Sequence, residues 1–191
     1  QMDLSAFEFF SQSALDKVTA QMGHAVPFAT QTPFYALLEF ESAAEAELDK
    51  AMALFEQTVE QGWVLDGVRI LNLYQAEAPW KLREDISETL WRWQPYKNDI
   101  SVRISRMPDF IFQIDQLVAR QYPDFEVVWY GHIGDGNLHL NILKPEALSV
   151  DQFHAKCVNV SSEIGQLLAK YEGSVSAEHG VGLLKKDYLH Y

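Results

Sequence analysis

A short glycine-rich stretch at residues 130–141, which reads Y-G-H-I-G-D-G-N-L-H-L-N, brings two histidines near each other. Its central Asp-Gly dipeptide is typical of a tight turn between two antiparallel strands. If Ile133 pairs with Leu138, then His132 lies directly opposite His139 on one face of this hairpin. The Cβ atoms of such neighbours are about 4.5–5.5 Å apart, close enough for two imidazoles to bind one ion. The spacing therefore indicates a candidate metal site.

The same register places Asn141 on this face, opposite Tyr130. Two imidazoles bind a transition metal weakly, and a third protein ligand is usual. Glu178 is the candidate third ligand, because residues 174–182 are rich in small residues and lack helical periodicity. His179 follows directly and can line the same pocket if the segment turns. Two alternatives stay open: the histidines could be polar residues at a hairpin end, and Glu178 and His179 could be surface loop residues.

Two basic residues upstream are candidates to bind a carboxylate group. Arg83 stands in W-K-L-R-E and Lys97 in Y-K-N-D. An arginine can hold a carboxylate with two parallel hydrogen bonds, whereas a lysine supplies a compact charge. Taken alone, each of them is more typical of a surface ion-pair residue than of a binding residue.

Composition excludes several classes of function. The 191 residues carry a formal net charge of −12, which argues against a nucleic-acid partner because phosphate binding needs a basic surface. No apolar run is long enough to span a membrane, and we expect a cytoplasmic protein, with peripheral membrane or organellar association left open. The single cysteine, Cys157, allows no internal disulfide and is expected to be a buried thiol.

Apolar periodicity and turn residues predict the elements that must position these side chains. Helices are expected at residues 3–21, 42–61, about 76–93, 108 to about 121, and 151–171. Strands are expected at residues 34–40, 63–73, 97–105, 125–133 and 138–143. Residues 34–73 form a predicted β-α-β unit, with a central first strand and a helix whose buried face comprises Leu48, Met52, Phe55 and Val59. The order indicates one α+β domain, with a ferredoxin-like antiparallel or mixed sheet and helices on one face.

The two motifs together closely resemble the C-terminal, substrate-side domain of FAD-linked oxidases. Residues 131–141 and the S-A-E-H-G-V-G segment at 176–182 carry the resemblance, and W-x-x-R at 80–83 and K-x-D at 97–99 resemble carboxylate-binding segments of the family. This is the vanillyl-alcohol-oxidase-type group, which includes D-lactate dehydrogenase, the glycolate oxidase flavin subunit and D-2-hydroxyglutarate dehydrogenase.

The resemblance implies a role for each candidate residue. A divalent metal, commonly zinc, would be bound by His132, His139 and Glu178. His179 would be the general base, and the substrate contacts would be Arg83, Lys97, Asn141 and, on a weaker correspondence, Ser87. The implied reaction is hydride transfer from a 2-hydroxy acid to the flavin, which gives the 2-oxo acid.

The resemblance also implies what lies outside the chain. FAD would be bound mostly by a preceding domain, so residues 1–191 would be a substrate- and metal-binding domain that is inactive alone and stops short of the family's C-terminal tail. The electron acceptor is open, and a homodimer is possible. Two alternatives are a stand-alone metal-dependent hydrolase, with His179 as the base for a metal-activated water, and a non-catalytic interaction module.

Overall fold

A five-stranded antiparallel sheet is the centre of the computed structural model, which describes residues 4–40, 45–70 and 72–181. The strands are β1 (Leu4–Ser11), β2 (Phe34–Phe40), β3 (Tyr96–Ser101), β4 (Glu126–His132) and β5 (Asn137–Leu143), in the order β2-β1-β4-β5-β3. The helices are α1 (Gln12–Met22), α2 (Glu45–Glu60), α3 (Leu73–Glu84), α4 (Ile86–Leu90), α5 (Met107–Gln121) and α6 (Val150–Lys170). The predicted α+β class is confirmed.

The C-terminal half of the fold follows the ferredoxin-like pattern. From β3 onward the elements run β-α-β-β-α, and an isolated bridge between Ser101 and Ser174 then adds a further pairing beside β3. Helices α5 and α6 pack on one face of the sheet, where a core cluster includes Phe110, Trp129 and Phe153. This half therefore packs a core against the sheet that contains the β4–β5 hairpin.

Helices cover the opposite face as well, which corrects the prediction that they lie on one face. Residues of α1, α3 and α4 form a second core cluster with Phe10, Val128 and Tyr130 of the sheet. Strands β1 and β4 carry apolar side chains on both of their faces, so each face must be covered to remove them from water.

The prediction of a helix over residues 3–21 was half wrong. Residues 4–11 form β1, which pairs with both β2 and β4, and only the following residues are helical. Phe9 packs in the core on the α5–α6 side and Phe10 in the core on the α1 side, which is the pattern of a central strand. Ser11 ends the strand, and its hydroxyl caps the first turn of α1.

The predicted β-α-β unit at residues 34–73 was also wrong in three respects. Strand β2 lies at the edge of the sheet, with Phe34 and Leu38 exposed. Residues 63–70 form no strand. Three residues of the predicted buried face of α2 are exposed, namely Leu48, Phe55 and Val59, and the fourth, Met52, is half-buried. The predicted cap at residues 42–44 lies outside the described residues.

From α5 onward the elements match their predictions closely, whereas the predicted helix at about 76–93 is divided into α3 and α4 and the predicted strand at 97–105 ends at Ser101. Pro108 stands in the first turn of α5, where a missing N–H costs nothing. Cys157 is fully buried on α6, and burial raises the pKa of its thiol to about 12. Within the described parts of the chain, no helix has the length and apolar character needed to cross a membrane.

Candidate metal and substrate site

The β4–β5 pair fixes which side chains of the hairpin meet. Tyr130 lies opposite His139, and His132 lies opposite Asn137. The predicted pairing of His132 with His139 was therefore wrong by two positions, because Gly136, at φ 79°, closes the turn one residue earlier than expected. A shift of two leaves every side chain on its predicted face, since strand side chains alternate with a period of two.

Three rows of side chains cross this face of the sheet from strand to strand. The first row is Glu8, His132, Asn137 and Ser101, the second is Phe10, Tyr130, His139 and Asp99, and the third is Val128, Asn141 and Lys97. His132 and His139 therefore share one surface with Lys97, which lies two rows from His132 and one row from His139.

The three predicted metal ligands come together in the structure. The candidate ligand atoms of His132, His139 and Glu178 all lie within 4.8 Å of one another. Nε2 of His132 is 3.6 Å from Oε1 of Glu178, and the two histidine ring centroids are 5.5 Å apart. Burial lowers the pKa of His139 to about 4, so its imidazole is neutral at pH 7 with a free lone pair. Two imidazoles and a carboxylate are a donor set that suits zinc with one open position.

Glu178 reaches the sheet because Asp99 holds its backbone. Oδ2 of Asp99 accepts hydrogen bonds from the backbone N–H groups of both Glu178 and His179, each at 2.9 Å. Burial by itself raises the pKa of Asp99, but these two N–H groups and the nearby imidazoles of His139 and His179 bring it below its ordinary value. The sequence motif around Lys97 contained Asp99, but its position on β3 opposite His139 gives it this anchoring role.

His179, the predicted base, lies on the same side of the cluster as His139. Their ring centroids are 6.2 Å apart, and His179 is exposed to solvent. A second group of possible ligand atoms, from Asp99, His139 and His179, also lies within 4.8 Å. His179 is therefore next to the predicted metal ligands without belonging to that set of three.

Arg83 is buried in the site and is not a surface ion-pair residue. It is 7% exposed, and one guanidinium nitrogen lies 2.9 Å from Oε2 of Glu8. Its Cζ atom is 4.9 Å from the centroid of the Tyr130 ring. The other carboxylate oxygen of Glu8 lies 2.7 Å from Nδ1 of His132. Sequence reasoning missed Glu8, although a lone acidic residue in the apolar run A-F-E-F-F signals a buried, paired carboxylate.

Lys97 and Ser87, two of the predicted substrate contacts, touch each other. Nζ of Lys97 is 3.2 Å from Oγ of Ser87 and 4.4 Å from the centroid of the Trp91 ring. Burial lowers the pKa of Lys97 below its ordinary value. The side-chain ammonium group of Lys97 therefore contacts a hydroxyl and an aromatic face. It forms no salt bridge with a carboxylate among the described residues.

Two buried amides leave hydrogen-bonding capacity unused at this surface. Asn141 is 1% exposed; its Nδ2 donates to the carbonyl of His139 at 3.2 Å, while Oδ1 has no partner among the described residues. Asn137 is 2% exposed, and neither of its amide atoms has a partner there. Because buried polar atoms are nearly always hydrogen-bonded, such amides are suited to meet a polar ligand.

The whole chain matches one protein family. Residues 1–191 match the family described as FAD linked oxidases, C-terminal domain, and the chain belongs to it. It is 56% identical over 191 residues to a D-2-hydroxyglutarate dehydrogenase of Stutzerimonas stutzeri, covering 100% of this chain and 41% of that relative. It is 52% identical over 189 residues to a D-2-hydroxyglutarate dehydrogenase of Xanthomonas citri pv. viticola, covering 99% and 40%.

A more distant similarity points to the same group. A mitochondrial D-2-hydroxyglutarate dehydrogenase of Bos taurus is 37% identical over 191 residues, covering 98% of this chain and 34% of that relative. The chain thus spans about two fifths or less of the length of these relatives.

Proposed function

We propose that this chain is the substrate- and metal-binding part of an FAD-dependent oxidoreductase that converts a 2-hydroxy acid to its 2-oxo acid. The candidate substrates are acids of the D-2-hydroxyglutarate, D-lactate or glycolate type, and the names of the two bacterial relatives favour D-2-hydroxyglutarate. The observation that carries the proposal is the convergence of His132, His139 and Glu178 on the sheet face that also presents Lys97. Membership of a flavin-linked family favours this function over a metal-dependent hydrolase or a non-catalytic module.

His132, His139 and Glu178 would hold a divalent ion, which we propose to be zinc. The neutral state of His139 and the mutual closeness of the three donors support this assignment. When both are bound, the metal supplies a Lewis acid for the substrate hydroxyl, and FAD, held mostly by a preceding domain, supplies the hydride acceptor.

The chain's own cations would bind and orient the substrate. Lys97, held by Ser87, and Arg83, held by Glu8, each offer N–H donors to a carboxylate. N–H donors on two separate side chains would suit the two carboxylates of a 2-hydroxy dicarboxylic acid. Asn141 adds a buried carbonyl oxygen that can accept a hydrogen bond. Fixing the substrate at two points orients the C–H bond that must break.

His179 would take the proton of the substrate hydroxyl. Its ring lies beside that of His139, with 6.2 Å between the ring centroids, next to the predicted metal ligands. Substrate oxidation then needs no other base in the described part of the site.

Anaerobic mixing of the full-length flavoprotein with candidate acids tests the proposal. D-2-hydroxyglutarate should bleach the visible absorbance of the flavin, more efficiently than D-lactate or glycolate, and L-2-hydroxyglutarate should not. His179→Gln should slow the bleaching by at least about 100-fold, as expected when a general base is lost. Absence of flavin reduction by all three candidate acids would contradict the proposal.

A further inference from the structure

A buried carboxylate joins two groups that have separate roles in the site. Glu8 is 6% exposed and lies on β1 directly opposite His132 of β4. Its Oε1 is 2.7 Å from Nδ1 of His132, and its Oε2 is 2.9 Å from the guanidinium of Arg83. We propose that Glu8 is a positioning residue that orients a metal ligand and the substrate-binding arginine together. This inference rests on the proposed function.

The contact with His132 fixes which ring nitrogen is free. An ionised carboxylate only accepts hydrogen bonds, so the 2.7 Å contact places the ring proton of His132 on Nδ1. In the neutral form of the ring Nε2 then carries the lone pair, and Nε2 is the atom that lies 3.6 Å from Oε1 of Glu178. Glu8 therefore turns the coordinating nitrogen of His132 toward the other two ligands. Such partners of metal-binding histidines tune affinity strongly.

The contact with Arg83 is an ion pair without hydrogen-bond geometry, since Oε2 of Glu8 has no hydrogen-bond partner among the described residues. One guanidinium nitrogen lies 2.9 Å from this oxygen, while Cζ of Arg83 lies 4.9 Å from the centroid of the Tyr130 ring. The Nε–H of Arg83 has no hydrogen-bond partner among the described residues. Arg83 thus keeps donor capacity for a substrate carboxylate while its charge is neutralised by Glu8. Without Glu8, a buried and unpaired cation would remain, which is costly.

One consequence separates this role from a purely structural one. Because the same carboxylate holds both groups, a change at Glu8 should weaken metal binding and substrate binding in a folded protein. Loss of a hydrogen-bonding partner of a metal ligand typically lowers metal affinity 10–100-fold. A residue that only stabilised the fold would alter the melting temperature and leave zinc affinity unchanged.

Zinc titration of the full-length protein, after removal of bound metal, tests the inference. Glu8→Gln keeps the side-chain shape but removes the charge, and Glu8→Asp keeps the charge but draws the carboxylate back from both His132 and Arg83. Both variants should bind zinc about 10–100-fold more weakly than the wild type. The matched control is Glu126→Gln, which alters a solvent-exposed ion pair with Lys17 at the far end of β4 and should not change zinc affinity.

A second readout does not depend on metal. Nitrogen NMR of the metal-free wild type should show His132 protonated at Nδ1, and Glu8→Gln should give a mixture of the two tautomers. If Glu8→Gln does not fold, Glu8→Asp and the wild-type spectrum decide the question. Wild-type zinc affinity in either folded Glu8 variant, or protonation of His132 at Nε2 in the wild type, would overturn the inference. A wild type that binds no zinc would instead overturn the metal assignment of the proposed function, and the tautomer of His132 would still test Glu8.

Discussion

Asp99 accepts a hydrogen bond of 2.9 Å from the backbone N–H of Glu178. This hydrogen bond connects the loop that follows the last described helix to strand β3. The same carboxylate oxygen also accepts the N–H of His179. Two neighbouring side chains with different proposed roles, a metal ligand and a base, are therefore placed by one residue on the sheet. The side chain of Glu178 is about half exposed, and this anchor holds its backbone beside the sheet.

Replacement of Asp99 by alanine should release this loop. Both backbone hydrogen bonds would be lost. We expect zinc affinity to fall by about 10–100-fold, which is typical when a residue that positions a metal ligand is removed. Isothermal titration with zinc measures the change. The matched control is Asp49→Ala on α2, an exposed aspartate, which should bind zinc like the wild type. An unchanged zinc affinity in Asp99→Ala would show that Glu178 is held by other contacts or is not a ligand.

Lys97 should make substrate binding dependent on pH. Burial lowers its pKa from the ordinary value of 10.5, and only the protonated form attracts a carboxylate. Substrate affinity should therefore be present below the lowered pKa and decline as pH rises through it. Steady-state KM of the full-length enzyme against pH measures this decline.

Two variants at the same position make that experiment specific. Lys97→Met should raise KM by about 10- to 100-fold at neutral pH, the value of a charge-assisted hydrogen bond, and remove the alkaline decline. Lys97→Arg stays charged throughout the range and should also lack the decline. If the alkaline decline persists in Lys97→Met, another group causes it.

The backbone of the hairpin leaves no room for a side chain at Gly131. A Cβ atom there would lie 2.3 Å from the carbonyl oxygen of Asn137 and 3.1 Å from the ring of Phe9. Gly131→Ala should therefore lower the free energy of unfolding by about 1–3 kcal/mol, since the cross-strand pair must move apart. Gly134→Ala, in the exposed turn with nothing within 4 Å, should change it by less than about 0.5 kcal/mol. Urea denaturation compares the two, and equal effects would contradict the close approach.

The sequence predicted the hairpin face correctly but not its register. His132, His139 and Asn141 do share one face, because alternation along a strand depends only on the odd or even spacing. Which residue lies opposite His132 depends on where the turn closes. The turn closes at Gly136, which has a left-handed conformation, and the pairing is shifted by two positions from the predicted one. Turn geometry of this kind is decided by contacts such as that between Gly136 and the carbonyl of Val102, which are distant in sequence.

The sequence did not predict a role for Glu8, because residues 4–11 were assigned to a helix. Phe7, Leu15 and Val18 fall at helical spacing, and this local pattern conceals a strand whose partners, β2 and β4, lie far along the chain. By contrast, the long helices α5 and α6 were predicted well, since their apolar stripes and end signals are local. The association of Glu178 with the hairpin was proposed from residue type and family resemblance. Its physical basis, the anchor on Asp99, appears only in three dimensions.

Zinc uptake by the wild type and by His132→Ala tests the central claim most directly. Metal-free protein is supplied with zinc, dialysed and analysed for metal content, beside His154→Ala as a control, because His154 is an exposed histidine on α6. The proposed site predicts one zinc ion per chain in the wild type and in His154→Ala, and a large loss in His132→Ala. Equal zinc content in the wild type and His132→Ala, or none in the wild type, would contradict the assignment of His132, His139 and Glu178 as a metal site.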